Sequence, residues 1–144
     1  MRKTETLAYT AGIIDGEGCI SIVSTPRSEK LGGRYYRLVI VVGNTNEWLI
    51  QWLKFNFGGN FYMSRHQKKP THKPMFQWQI HSQKAADFLS QILPYLQIKK
   101  PNADLAIKFQ KYGGAGKHYS DEEKAIKEAQ RILMTKFNKT GIEL

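Results

Sequence analysis

Leu7-Ala8-Tyr9-Thr10-Ala11-Gly12-Ile13-Ile14-Asp15-Gly16-Glu17-Gly18 is the stretch of this 144-residue chain that decides its fold. The pattern predicts a helix over 4–16, with Thr4 or Thr6 as N-cap and Glu5 in the first turn. Ala8, Gly12 and Gly16 recur every four residues, so they line one helix face almost without side chains. Glycine inside a helix costs about 0.5–1 kcal/mol relative to alanine. Two such glycines need a compensating contact, and close approach of another helix is the obvious one. The segment occurs once, so the expected partner is the same segment of a second copy across a two-fold axis. Ala8, Ala11, Gly12, Asp15 and Gly16 are the expected interface positions.

At the end of that helix the last carbonyls lack intrahelical partners and the dipole is negative. Glu17 adds a carboxylate there. Carbonyls and carboxylates are hard oxygen donors, suited to Mg²⁺ rather than to zinc. An EF-hand calcium loop is excluded, because Ile13 sits where that loop needs an oxygen ligand. A plain Asp-Gly-Glu-Gly turn stays open on these residues alone.

Outward from this stretch, residues 19–25 alternate and read as a strand, followed by the turn-forming PRSEKLGG and a second antiparallel strand over 34–42. Asn44 and Thr45 open a helix near 46–57, whose apolar stripe runs through Trp48, Leu49, Trp52, Leu53 and Phe57. Gly58-Gly59 ends it. Strands at 60–67 and 75–80 flank the basic loop KKPTHKP, and Ser82 caps a helix over 83–93. Helices at 102–112 and 120–137 follow, the last with a Ser120/Glu123 capping box. The order predicts one α+β domain over 1–144, with a four-stranded antiparallel sheet.

In the strand at 75–80, Phe76, Trp78 and Ile80 share the core face, while Gln77 and Gln79 offer two amides roughly 7 Å apart on the other. Tyr36, Leu38, Ile40 and Val42 point inward, leaving Tyr35, Arg37, Val39 and Val41 outside. Ile20 and Ile22 pack, and Ser21, Val23, Thr25 and Arg27 face out. In the third strand either Phe61, Met63 and Arg65 or Tyr62, Ser64 and His66 face outward. Amides, guanidiniums and hydroxyls on one face, with lysine-rich hairpin loops at its ends, suit a β-ribbon in the groove while the loops grip phosphates.

Composition agrees. The formal net charge is +10, and residues 48–86 hold no acid while containing Lys54, Arg65, Lys68, Lys69, Lys73 and Lys84. A polyanion is the expected partner, double-stranded DNA above a small-molecule substrate. A lone cysteine, Cys19, excludes an internal disulfide and a cysteine-rich zinc site, and fits a reducing, intracellular setting in cytoplasm, mitochondrion or chloroplast. No apolar run is long enough to span a membrane, and the N-terminal one is broken by Asp15 and Glu17 where a secretory leader would continue.

Residues 11–18 resemble the signature of the LAGLIDADG homing endonucleases, with Thr10 at the leading leucine and Gly16 at the second alanine. Leu93-Pro94-Tyr95-Leu96-Gln97-Ile98-Lys99-Lys100 is similar to the family segment before its C-terminal helices, and the resemblance spans roughly residues 5–112. It implies an αββαββα core with a saddle-shaped sheet plus C-terminal helices. A single signature implies the homodimeric branch, which acts in intron homing and cuts both strands of a long pseudo-palindromic DNA site, leaving short 3′ overhangs. The resemblance further implies Glu17 as metal-binding catalytic acid, the Gly16 carbonyl as supporting ligand, Lys99 as the basic residue near the scissile phosphate, and Asn44 in the active-site water network; a one-residue shift would put Gly43 there instead. DNA contacts are expected from Ser21, Val23, Thr25, Arg27, Arg34, Tyr35, Arg37, Arg65, Lys68, Lys69, Lys73, Gln77 and Gln79. A binder that does not cleave, such as an intron RNA maturase, is the alternative.

Overall fold

The computed structural model describes residues 3–64, 73–112 and 119–140. Among them run helix α1 (Lys3–Glu17), strands β1 (Gly18–Pro26) and β2 (Arg34–Asn44), helix α2 (Glu47–Phe57), strands β3 (Asn60–Ser64) and β4 (Met75–His81), and helices α3 (Ser82–Ile92), α4 (Lys100–Lys111) and α5 (Asp121–Thr140). The strands form an open antiparallel sheet in the order β1-β2-β4-β3. This is the α+β architecture read from the sequence, with helices on one face of the sheet.

Alternation sets the two faces. Ile20, Ile22, Tyr36, Leu38, Ile40, Val42, Phe76, Trp78 and Ile80 are buried beneath the helices. The pairings Ser21↔Val39, Val23↔Arg37, Val41↔Gln79 and Gly43↔Gln77 put the intervening residues on the opposite face. The open choice in the third strand resolves here: Tyr62 pairs with Gln77, so Asn60, Tyr62 and Ser64 share the outer face. Phe61, opposite Trp78, packs toward the core.

Two glycines make the close junctions possible. Helix α1 runs into β1 without a loop, and a Cβ on Gly18 would lie 2.9 Å from the Ile14 carbonyl. Gly59, at φ +86°, lets the chain pass over β4, where a Cβ would lie 2.6 Å from the Gln79 carbonyl. Beside it the Trp78 indole donates to the Gly58 carbonyl at 2.7 Å.

Several boundaries differ from the sequence reading. Asn46, rather than Asn44 or Thr45, caps α2, accepting from the Leu49 N–H at 3.2 Å. Ser82 begins α3 instead of capping it, with its backbone in the left-handed region at φ 54°. Strand β2 runs two residues beyond the expected end and β4 runs one beyond. Ser120 caps α5 as expected, its Oγ accepting from the Glu123 N–H at 3.1 Å, while the Glu123 carboxylate accepts from the Ser120 hydroxyl at 3.2 Å. Trp48, part of the apolar stripe, is 61% exposed, because the core takes Ile50 and Leu53.

Helix α5 pins the β1–β2 hairpin from the core side. The Tyr36 hydroxyl donates to Glu128 at 2.7 Å, Lys124 donates to the Gly32 carbonyl, and Asn138 donates to the Ile20 carbonyl. The Arg131 guanidinium, with help from the Tyr36 hydroxyl, holds the Glu128 carboxyl down at about 2. The Glu128 contacts therefore persist in mild acid.

Candidate active site and DNA-reading face

The site begins where α1 ends. Thr10, Ala11 and Ile14 face the core, so at 100° per residue Ala8, Gly12 and Gly16 face away. A Cβ built at Gly12 or Gly16 meets no atom within 4 Å. The smooth stripe is therefore real, and this chain's own packing does not require it. It floors a groove of about 470 Å³ with Tyr9, Ile13, Glu17 and Leu49. Ala11 is a correction to the expected interface: it is wholly buried, one position off the stripe and turned into the core.

Asp15, also expected at the interface, is half-buried and bonded within its own chain. Its carboxylate is spent inside the chain, accepting the backbone N–H groups of Gln97 at 2.8 Å, Ile98 at 3.1 Å and Lys99 at 2.9 Å. Lys99 returns the grip. Its ammonium donates to the carbonyls of Ile14 at 2.9 Å, Asp15 at 3.2 Å and Gly18. An ammonium has three donors, and three carbonyls at the negative end of α1 take them. Burial pulls the Lys99 pKa below the ordinary lysine value, against the opposing pull of Cys19 and Asp15. Each side chain thus holds the other's backbone, and the 97–99 turn is clamped to the helix end. Replacing Asp15 by alanine is expected to cost about 2 kcal/mol through three stranded amides. The shift in denaturant midpoint measures it, and a loss under about 0.5 kcal/mol would mean the clamp is slack.

Glu17 stands exposed at this clamped end. The Asn44 amide donates to its Oε2 at 2.7 Å, while the Asn44 Oδ1 accepts from the Asn46 N–H at 2.7 Å. The structure therefore brings Asn44, not Gly43, to the acid, and ties both to the start of α2. The Gly16 carbonyl is not among the three that Lys99 occupies. Among the described residues no group of three His, Cys, Asp or Glu side chains converges to hold a metal ion. Among the described residues one chain thus offers hard oxygen donors at this end, the Glu17 carboxylate and the Gly16 carbonyl. That donor set fits a divalent cation completed by donors from elsewhere.

The outer face of the sheet collects Ser21, Val23, Thr25, Tyr35, Arg37, Gln77 and Gln79 as the alternation required. Val39 lies on the same face yet is buried, so the centre of that face is partly dry. Lys73 is exposed just before β4, whereas Arg65, Lys68 and Lys69 lie outside the described residues. Arg34 does not belong to this face. Even-numbered like Tyr36, it lies on the helix side and donates to Ser24 Oγ at 3.0 Å. The Arg27 guanidinium lies over the Tyr119 ring at 4.7 Å and the Tyr35 ring at 5.5 Å. The sequence reading missed His81 and Asn60 as outer-face positions and left Tyr62 and Ser64 as one of two open choices. Continuing the parity of Gln77 and Gln79 one step would have found His81; only pairing with β4 settles the other three. No helix among the described residues is long and apolar enough to cross a membrane.

The LAGLIDADG endonuclease family model matches residues 10–112. No curated protein matches the chain in sequence. Among solved structures, the archaeal intron-encoded homing endonuclease I-Vdi141I, complexed with DNA, superposes with a TM-score of 0.81 at 16% identity, over 99% of this chain and 89% of that one. The homing endonuclease I-CvuI, bound to uncleaved DNA in the presence of magnesium, gives 0.79 at 17% identity, over 99% and 87%. A variant of I-SmaMI gives 0.63 at 20% identity, over 92% of this chain but 48% of that longer one. At such identities the likenesses speak for the fold. The family match spans the C-terminal half of α1, all four strands and the clamped turn, and on that ground the chain belongs to the LAGLIDADG endonuclease family.

Proposed function

We propose that this protein is a site-specific double-strand DNA endonuclease that works as a homodimer on a long, nearly palindromic site. The observation that carries the reading is Glu17, exposed at a rigid helix end whose Gly12 and Gly16 border open space. Two copies joined along that stripe put two Glu17 carboxylates at the dyad. Alone they repel one another; a cation between them removes the repulsion. Glu17 and the Gly16 carbonyl are the groups that would hold a divalent cation of the magnesium kind. Bound there, it would supply Lewis-acid stabilisation of phosphate charge and a more acidic water.

The chain's own residues do the rest. Asn44 orients the Glu17 carboxylate and fixes which oxygen is left to face the substrate. Lys99 steadies the helix end and sets its carbonyls. The outer sheet face reads base edges in the groove, and the basic segment between β3 and β4 holds phosphates. Two equivalent sites across a dyad cut both strands, and a minor-groove approach to closely spaced phosphates leaves short 3′ ends.

The test is selection of cleaved molecules from a randomised, two-fold-symmetric DNA library with Mg²⁺. A single enriched site with staggered 3′ ends, lost on chelation, is the expected result. Binding without cleavage in any divalent cation would instead favour a non-cleaving relative, such as an RNA maturase.

A further inference from the structure

Strand β4 carries a hydrogen-bonded chain of side chains along its outer face. Gln79 Oε1 lies 3.1 Å from His81 Nε2, and Gln79 Nε2 donates to Gln77 Oε1 at 3.2 Å. An amide oxygen cannot donate, so the proton of the first contact sits on His81 Nε2. The chain therefore has a direction, from imidazole to Gln79 to Gln77. At its far end the Gln77 oxygen is already accepting, and its N–H groups are what remain to offer.

The reverse direction is also possible chemically. Gln79 would then donate to an unprotonated His81 Nε2, and Gln77 would present its oxygen. What stands at position 81 decides between the two. Neighbours on β2 cannot compete for these bonds, because Val39, Val41 and Gly43 stand opposite His81, Gln79 and Gln77. On the β3 side Asn60 and Tyr62 stand opposite Gln79 and Gln77, yet the two amides bond to each other. Burial, with the Arg37 guanidinium nearby, lowers the His81 pKa, so the ring is neutral near pH 7 and carries one proton to place.

We propose that His81 is a specificity-determining residue that acts through Gln79 and Gln77: its Nε2–H sets the polarity of the amide chain, so that Gln77 presents hydrogen-bond donors to the DNA groove. The inference rests on the groove-reading function proposed above. It commits to a base chemistry. A donor-first glutamine selects an acceptor edge, guanine O6 and N7 or thymine O4, against the amino group of cytosine. Two-point pairing with adenine, expected of a free glutamine, is weakened because the Gln77 oxygen is partly spent. His81 itself need not touch DNA; it is a positioning residue.

Two measurements test this. The first is the ring nitrogen spectrum of ¹⁵N-labelled protein without DNA at pH 7.5, with the His81 signal assigned by its loss in His81→Gln. The Nε2–H tautomer is expected, and the Nδ1–H tautomer overturns the proposal whether or not the protein cuts DNA. The second is binding selection from the randomised library with the parent, Gln77→Ala, His81→Leu and His81→Gln. Gln77→Ala identifies the base pair that Gln77 reads. At that pair the parent should discriminate by about tenfold or more, in line with one good base contact. His81→Leu should reduce this to about twofold while other positions hold, and His81→Gln, whose amide can donate to Gln79, should retain it. An unchanged His81→Leu profile, an even loss at all positions, or failure of His81→Gln to rescue would each overturn the proposal. If the parent enriches no site, the DNA-reading function fails, and the tautomer still decides the amide chain.

Discussion

Glu17→Gln is expected to lower DNA cleavage by about a thousandfold or more while leaving DNA affinity within about threefold of the parent. The substitution keeps size and shape. The Asn44 amide, 2.7 Å from Oε2 in the parent, still finds an oxygen to donate to, so the end of α1 keeps its form. What is lost is the negative charge that would hold a divalent cation. Removing a carboxylate from beside DNA phosphates also removes repulsion, so binding holds or improves slightly. Single-turnover cleavage and a binding titration, run side by side, separate the two quantities. A mutant that still cuts would strip Glu17 of its role; a mutant that no longer binds would make the acid part of the scaffold instead.

Gly12→Leu is expected to weaken the dimer by about a hundredfold or more without unfolding the chain, since overpacking costs about 1–3 kcal/mol at each of two symmetric positions. The two halves of that expectation come from different observations. Within one chain a Cβ at Gly12 meets nothing within 4 Å, and leucine favours helix over glycine, so the isolated fold is unharmed or slightly stabilised. Across a two-fold axis, two leucines would confront each other where two bare backbones had met. Sedimentation gives the association state and a denaturant curve gives the fold. A monodisperse dimer from this variant at micromolar concentration would refute the helix-stripe interface.

How far the sequence reaches is best seen residue by residue. Alternation within β2 and β4 was legible because each strand has one fully buried face, and a one-residue slip would bury Gln77 and Gln79 while exposing Trp78. Strand β3 was not legible: aromatic and polar residues alternate with no clear winner, and only pairing with β4 decides it. The four-residue spacing of Ala8, Gly12 and Gly16 was legible as a stripe, whereas the inward turn of Ala11 depends on which flank of α1 meets the core. Arg34 was expected among the DNA contacts, but it shares the parity of Tyr36 and so lies on the helix side of the sheet. Resemblance pointed to Glu17 and to Lys99; Glu17 stands exposed, whereas the three Lys99 donors go to carbonyls of the same chain instead of being left for a phosphate. The bonds that join Asp15 to 97–99, and Lys99 to 14, 15 and 18, link positions more than 80 residues apart, and no local pattern announces them.

That mutual grip has a consequence for assembly. A helix C-terminus carries roughly half a negative charge, and a two-fold pair would bring two such ends together, each with its own Glu17. Without compensation the approach is uphill before any cation arrives. Each Lys99 carries one positive charge directly onto the carbonyls of that end, more than offsetting that half charge, so in such a pair the backbone ends themselves would not repel. The lysine would then serve as a built-in counterion: the protein would bring part of its own ionic atmosphere to the seam, leaving the two Glu17 carboxylates as the charge for an outside ion to balance.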